Sequence, residues 1–180
     1  MQTLHLQRGF TLVEAAVVIA IAAIVVASAT PSLHGFIDRQ RLVGAAAQLA
    51  TDLQYTRAEA VLRHTGLRFS VKSGAWGQCY IVHTGGADQC SCVADGPPQC
   101  TGGAQSLRSV RFSAAESIAL QSNVASLRFD PLHGTCTPTG TLRVVAASGR
   151  AIHQVVNVMG RVRACSPQGP GTAVPGYRAC

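Results

Sequence analysis

Three patterns of hydrophobic and polar positions follow one another along the chain. Residues 10–30 are almost entirely apolar, and Glu14 is the one charged residue among them. From Leu33 to Val61, apolar residues recur every three or four positions, which is the period of an α-helix. From Leu67 onward the period shortens to two, which is that of a β-strand. The pattern predicts an α+β protein in which one long N-terminal helix packs on an antiparallel β-sheet domain.

The first pattern predicts a transmembrane helix over residues 10–30. A helix rises about 1.5 Å per residue, so some 20 apolar residues span a hydrocarbon core of roughly 30 Å. The same stretch also fits a secretory signal peptide, in which Ala27-Ser28-Ala29 would be the cleavage site. The signal-peptide interpretation leaves Glu14 unexplained, because a carboxylate in an apolar segment is costly without a partner.

The second pattern predicts that residues 31–66 continue the helix as an amphipathic segment. Its apolar side is formed by Leu33, Phe36, Ile37, Leu42, Ala46, Leu49, Leu53 and Val61. We expect the charged residues to lie on the other faces, and these include Asp38, Asp52, Glu59 and Arg63. Gly66 is predicted to end the helix, as glycine often does.

The third pattern predicts one β domain over residues 67–180, and the export signal ahead of it would make this domain extracytoplasmic. Its first two strands, 67–71 and 78–83, are predicted to form a hairpin, and further short strands are predicted near 107–112, 118–120, 126–129, 141–146 and 152–158. Residues 84–105 are rich in Gly, Pro and Cys without periodicity, which predicts a long loop.

The seven cysteines indicate an oxidising compartment and a domain held together by disulfides. Cys79, Cys90, Cys92 and Cys100 are predicted to brace the loop 84–105. Cys165 and Cys180 frame a Pro- and Gly-rich C-terminal loop, 165–180, and we expect them to pair. Cys136 is then the expected unpaired residue, although the sequence alone leaves the pairing open.

Neither a metal centre nor catalysis is expected. Cys90 and Cys92 are too close in sequence for a structural zinc pair, and an exported chain would oxidise its thiols. The sequence contains no nucleophile motif and no phosphate-binding glycine motif. We therefore predict a protein that is not an enzyme and has no cofactor.

The net charge of +7 is concentrated in the second half of the chain, where residues 101–180 contain eight arginines and only Glu116 and Asp130 as acids. The stretch Gly160-Arg161-Val162-Arg163 follows a predicted strand. If that strand continues past Gly160, Arg161 and Arg163 lie on one face. Pairing of Cys165 with Cys180 would bring Arg178 and its neighbour Tyr177 close to them. Such a basic cluster is typical of a site for a polyanion.

Residues Gly9-Phe10-Thr11-Leu12-Val13-Glu14 resemble the processing site of type IV pilins and type II secretion pseudopilins. The resemblance implies that residues 1–9 are a leader, removed by a prepilin peptidase that cuts after Gly9 and methylates Phe10. It implies that Glu14 pairs with the N-terminal amine of a neighbouring subunit. It also implies a single-pass inner-membrane protein with a periplasmic domain, which assembles with other pilin subunits through its N-terminal helix.

Together with this start and the long helix, the ending Gly-Arg-Val-Arg resembles the GspH/FimT family of minor pilins and pseudopilins. In the FimT branch, which is linked to natural transformation, a Gly-Arg-x-Arg motif is implicated in DNA binding. The resemblance implies a DNA-binding role for Arg161 and Arg163, with Arg178 added by its expected position. GspH-like and FimU-like relatives have similar endings, which implies the alternative of a structural subunit for pilus assembly or type II secretion.

Overall fold

The computed structural model of the chain describes residues 11–180, and for residues 28–32 and 34 the backbone alone. One helix, α1 (Leu12–Leu62), is followed by eleven short strands. The chain divides into two units between Ile37 and Asp38. The predicted leader, with Gly9, and the predicted first mature residue, Phe10, lie outside the described residues.

The start of α1 is capped by Thr11. The Thr11 hydroxyl accepts a hydrogen bond from the Glu14 backbone N–H at 3.3 Å, and the Thr11 carbonyl accepts one from the Ala15 N–H at 3.2 Å. A threonine cap followed three residues later by a glutamate is a common helix start, because the acid lies beside the free N–H groups of the first turn. Glu14 thus has a local position in the helix cap in addition to the role that the resemblance implies.

Apolar side chains at the start of α1 are exposed in the single chain, for example Leu12 at 86% and Ile24 at 70%. In the part of the chain that the structure describes, no helix combines the length and the apolar character that crossing a membrane requires. The predicted transmembrane segment, 10–30, includes residues outside that part.

The end of α1 differs from the prediction. The helix ends at Leu62, and His64, with φ of 50°, takes the left-handed position that was expected of glycine. The His64 N–H donates to Val61 and the Thr65 N–H to Ala60, the pair of bonds that closes a Schellman motif. Gly66 lies two residues beyond this position. The helix therefore ends at a histidine in place of the expected glycine, and the N–H groups of His64 and Thr65 satisfy the carbonyls of its last turn.

The strands form two larger antiparallel sheets and one small hairpin. The first sheet has the order β5-β2-β1-β7-β8, with β1 (Leu67–Gly74), β2 (Gly77–Thr84), β5 (Ser106–Ser113), β7 (Ser126–Phe129) and β8 (Cys136–Thr137). The second has the order β11-β10-β9-β6, with β6 (Ile118–Ser122), β9 (Gly140–Ala146), β10 (Ala151–Val156) and β11 (Val162–Cys165). The hairpin joins β3 (Cys90–Ser91) to β4 (Gln99–Cys100).

The predicted α+β class is confirmed, and so is the hairpin of β1 and β2. The pattern had predicted a single sheet, whereas the strands divide between two. The division follows the chain only in part, since β7 and β8 return to the first sheet after β6 has started the second. Alternation within a strand shows which side is buried, but it does not specify which strand is the neighbour.

The core of the unit Asp38–Cys180 lies between α1 and the inner faces of both sheets. On the helix, Leu42, Ala46, Leu49 and Leu53 are fully buried, at the predicted spacing of three and four. The predicted positions Leu33, Phe36 and Ile37 are exposed, so the buried stripe starts only at Leu42, and Val61 at the other end is exposed as well.

The prediction that the charged residues of the amphipathic segment face away from the core is wrong for Asp52. Its side chain is fully buried, accepts a hydrogen bond from the Tyr80 hydroxyl at 2.5 Å and lies 3.0 Å from Arg108 Nε. Burial, followed by the hydrogen bond to Asp52, strongly raises the pKa of Tyr80. A buried carboxylate is stable there because it has both a donor and a counter-charge.

The disulfides join cysteines within the predicted groups, and they establish a pairing that the sequence left open. Cys79 pairs with Cys92 and Cys90 with Cys100, which braces the loop 84–105, and Cys165 pairs with Cys180. Cys136 is free and buried. The two disulfides of the loop pack with Ile81 and Trp76 in a small apolar cluster of their own.

Candidate functional site

The predicted motif Gly160–Arg163 forms a tight turn between β10 and β11. Strand β10 ends at Val156, and the Asn157 N–H donates to the Arg161 carbonyl while the Gly160 N–H donates to the Asn157 carbonyl. The Asn157 side chain accepts a further bond from the Arg161 N–H at 2.9 Å. The strand does not continue past Gly160, because these bonds reverse the chain into β11, so the condition under which the alternation would place Arg161 and Arg163 on one face is not met.

Gly160 has no room for a side chain. Its φ of +69° is in the left-handed region, and a Cβ added there would lie 2.3 Å from the Gly134 carbonyl oxygen and 3.0 Å from Arg57 Nε. Arg57 Nε itself donates to the same Gly134 carbonyl at 3.0 Å. The glycine of the motif thus lets the turn pack directly on the loop 130–135 and on the helix.

A groove of about 810 Å³ opens beside this turn. Arg161 and Arg163 line one side, Arg57 and Val61 of the helix line another, and the loop containing His133 completes it. Arg57 and His133 were not singled out from the sequence. No local motif marks them, because they reach the groove only through the packing of the helix and the loop on the turn.

Arg163 and Arg178 meet in a second, smaller hollow. It measures about 410 Å³ and is lined by both arginines together with Val155 and the Cys165–Cys180 disulfide. Arg163 pairs with Val155 across the strands, and the two therefore share a face. The three predicted arginines are thus brought to adjoining surfaces, with Arg161 and Arg163 in the groove and Arg163 and Arg178 in the hollow.

The acid beside the groove is tied to its own loop. Asp130 Oδ1 accepts hydrogen bonds from the His133 N–H at 2.9 Å and the Leu132 N–H at 3.0 Å. These bonds, that from His133 first, lower the pKa of Asp130, so the carboxylate is charged at neutral pH. Among the residues that the structure describes, no acid forms an ion pair with Arg161, Arg163 or Arg178.

Tyr177, the neighbour of Arg178, packs against the core and is only partly exposed, so it offers little surface on which a base could stack. His153 lies beside the hollow, with Nδ1 3.4 Å from the Cys180 sulfur. Burial, and then the positive charge of Arg143, lowers the pKa of His153. His153, Cys165 and Cys180 bring possible metal-binding atoms within 4.8 Å of one another, but both sulfurs are held in a disulfide and present no thiolate.

The cluster around Cys90, which the sequence analysis considered as a metal site, has its donor atoms engaged. Cys90 and Cys92 are in disulfides, and His83 is hydrogen-bonded to Ser70 Oγ and to the Thr84 carbonyl, each at 2.8 Å. Burial lowers the pKa of His83, so the imidazole is neutral at pH 7. The carbonyl can only accept, so Nδ1 donates to Thr84 and Nε2 accepts from the Ser70 hydroxyl.

Comparison with solved structures finds type IV minor pilin FimU of Pseudomonas aeruginosa. One crystal form aligns with a TM-score of 0.51 at 20% identity, covering 79% of this chain and 98% of that one. A second crystal form aligns with a TM-score of 0.47 at 19% identity, covering 76% and 98%. At this identity the first alignment shows a shared fold. Comparison with curated proteins found no match.

Two sequence families match the chain. The prokaryotic N-terminal methylation motif matches residues 4–30, which include Gly9, Phe10 and Glu14. The family described as type II transport protein GspH matches residues 45–160, and its match ends just before Arg161. Because the second match covers more than half of the chain, the chain belongs to the GspH family and is a pilin-like subunit.

Proposed function

We propose that this subunit is a minor type IV pilin that binds DNA weakly and without sequence preference during uptake for natural transformation. Arg161, Arg163 and Arg178 are the contact residues of the proposal. The observation that carries it is that these three exposed arginines adjoin one another and that none forms an ion pair within the described residues.

The chemistry of this surface favours phosphate contacts. A guanidinium presents a planar fork of donors that matches phosphate oxygens, and such contacts position DNA without reading its sequence. Three neutralised phosphates correspond to a slope of about −2.7 in log affinity against log salt on duplex DNA. One subunit therefore binds weakly, and tight capture requires several copies or neighbouring subunits.

Family membership implies anchoring in the inner membrane with the domain in the periplasm. We propose that a prepilin peptidase cuts after Gly9 and methylates Phe10, and that the subunit joins a pilus through its N-terminal helix. Intact mass should then show a methylated chain that begins at Phe10. A Gly9→Val chain should keep its leader, whereas a mature chain that begins at Thr30 would contradict the filament role.

The DNA role is tested by gel-shift titration of the full chain in nonionic detergent. The Arg161→Ala/Arg163→Ala chain should bind a duplex more weakly, with a shallower salt slope. Arg128→Ala is the matched control, because Arg128 is exposed, belongs to β7 of the first sheet and has no side-chain partner among the described residues. No shift of the original chain at low salt would refute the DNA role, and an equal shift for the double variant would show that Arg161 and Arg163 are not its contact residues.

A structural subunit for pilus assembly or type II secretion is the second candidate. Two observations favour it: the family description refers to type II transport, and Gly160 has a packing reason that needs no ligand. In that case the Arg161→Ala/Arg163→Ala chain should assemble and bind DNA like the original. A loss of DNA uptake with intact filaments in cells carrying this variant would exclude the purely structural role.

A further inference from the structure

Arginines without a side-chain partner are concentrated on the second sheet and the segment after it. All arginines except Arg8 lie in the described part of the chain. Five of them donate a hydrogen bond to a carboxylate, a carbonyl or a hydroxyl, and a sixth, Arg108, forms an ion pair with Asp52; the five are Arg39, Arg57, Arg63, Arg68 and Arg111. The other seven have no side-chain partner among residues 11–180, and five of them lie beyond residue 140: Arg143, Arg150, Arg161, Arg163 and Arg178.

Strand pairing places one more of these arginines on the face that carries Arg163. Arg143 of β9 pairs with His153 of β10, which pairs with Cys165 of β11. Paired residues share a face of a sheet, and Arg163, two residues from Cys165, lies on that same face. The opposite face is the buried one, as Gln154 at 1% exposure shows, so Arg143 and Arg163 both lie on the outer face.

The spacing of the two arginines suits successive contacts along one polyanion. Strands lie about 4.8 Å apart and residues about 3.3 Å apart along a strand, which separates the Arg143 and Arg163 Cα atoms by about 12 Å. His153 lies between them and is neutral at pH 7, since burial and the Arg143 charge both lower its pKa. Across the hollow, Arg178 continues the charge beyond Arg163.

The outer face has no platform on which bases could stack. The strands of the second sheet, all of them described, contain no Phe, Tyr or Trp, and Tyr177 is packed on the core. Proteins that bind single strands without sequence preference combine a basic groove with stacking aromatic residues. A face that carries arginines but no aromatic side chain fits the phosphate backbone of a duplex.

We infer that the DNA surface extends from Arg161 and Arg163 across the outer face of the second sheet to Arg143, and that it takes the phosphate backbone of duplex DNA. This inference rests on the proposed function, which it extends by one contact residue and one substrate class. Arg143 adds a fourth phosphate contact, so the salt slope on a duplex becomes about −3.6.

The test measures duplex affinity of the full chain in nonionic detergent between 50 and 200 mM salt. A slope of −3.6 corresponds to a loss of about 150-fold over this fourfold range, and Arg143→Ala should reduce the loss to about 40-fold. Arg143→Lys should keep the steeper slope because it keeps the charge, and Arg128→Ala should leave it unchanged. Since Arg143 is exposed and has no side-chain partner, its substitution should not alter thermal unfolding.

The outcomes separate the inference from the proposed function. If Arg143→Ala matches Arg128→Ala while Arg161→Ala/Arg163→Ala still weakens binding, the extension is wrong and the proposed function stands. If the original chain does not bind, the proposed function fails first. If an unlabelled single strand competes better than a duplex at equal phosphate concentration, the assignment to duplex DNA is overturned.

Discussion

Replacing Gly160 by alanine tests whether the motif glycine is required by packing. Two costs add at this position. A left-handed conformation costs a residue with a Cβ about 1–2 kcal/mol. The new Cβ would also lie 2.3 Å from the Gly134 carbonyl oxygen, a backbone atom that cannot rotate away. Forcing an extra group into a filled space costs roughly a further 1–3 kcal/mol, so we expect Gly160→Ala to lower the free energy of unfolding by about 2–5 kcal/mol.

Gly149 offers a matched control for the first cost alone. Its φ of +84° is also left-handed, but an added Cβ would have nothing within 4 Å. Gly149→Ala should therefore lower the free energy of unfolding by only about 1–2 kcal/mol. Urea unfolding of both variants, followed by circular dichroism, gives the two values, and their difference isolates the contact with Gly134.

Equal destabilisation of the two variants would refute this explanation of the motif glycine. It would mean that the turn moves away from Gly134 at no cost, and the glycine would then need a reason other than packing. Loss of DNA binding in Gly160→Ala without a loss of stability would also refute the packing explanation. The glycine would then be required for contact with DNA.

Three further predictions concern buried groups. Asp52→Ala should lower the free energy of unfolding by about 3 kcal/mol, because it leaves the Tyr80 hydroxyl without its acceptor and Arg108 without its counter-charge. Tyr80→Phe should lower it by about 2 kcal/mol, because it leaves a buried carboxylate oxygen without its donor; urea titration measures both. Because the folded pKa of His83 lies below the unfolded value of 6.5, the unfolded chain gains protons first on acidification. Stability should therefore fall below pH 6.5 by at most about 1.4 kcal/mol per pH unit for this group, and His83→Gln should flatten that slope. Burial raises the pKa of Cys136 to about 11, so iodoacetamide should add one label, by mass, only after unfolding in urea without reductant.

The long helix, most strands and the disulfides could be predicted because each depends on a local pattern. The helical stripe from Leu42 to Leu53 follows from spacing, and the brace of the loop 84–105 follows from four cysteines close in sequence. What the sequence could not indicate was Asp52. A lone acid on a helix is normally exposed, and it is buried here only because Tyr80 and Arg108 come from distant strands.

The site was predictable as a set of arginines but not as a surface. Alternation would place Arg161 and Arg163 on one face only if the strand continued past Gly160, whereas Asn157 and Gly160 turn the chain back. Arg143 carries no motif, and its relation to Arg163 depends on two strand registers that period-two alternation does not specify.

The two polar contacts of the helix have a consequence for how parts of such subunits could be exchanged. Asp52 accepts from Tyr80 of the first sheet, and Gln154 of the second sheet donates to the Ala46 carbonyl at 3.0 Å. Apolar packing tolerates small rotations of a helix, but two directional bonds to different sheets permit a single setting. Consider a chimera that takes its helix from one subunit and its sheets from another. Its helix should keep the same rotation against the sheets only if the chimera contains both Asp52 and Tyr80 and has an amide side chain at position 154.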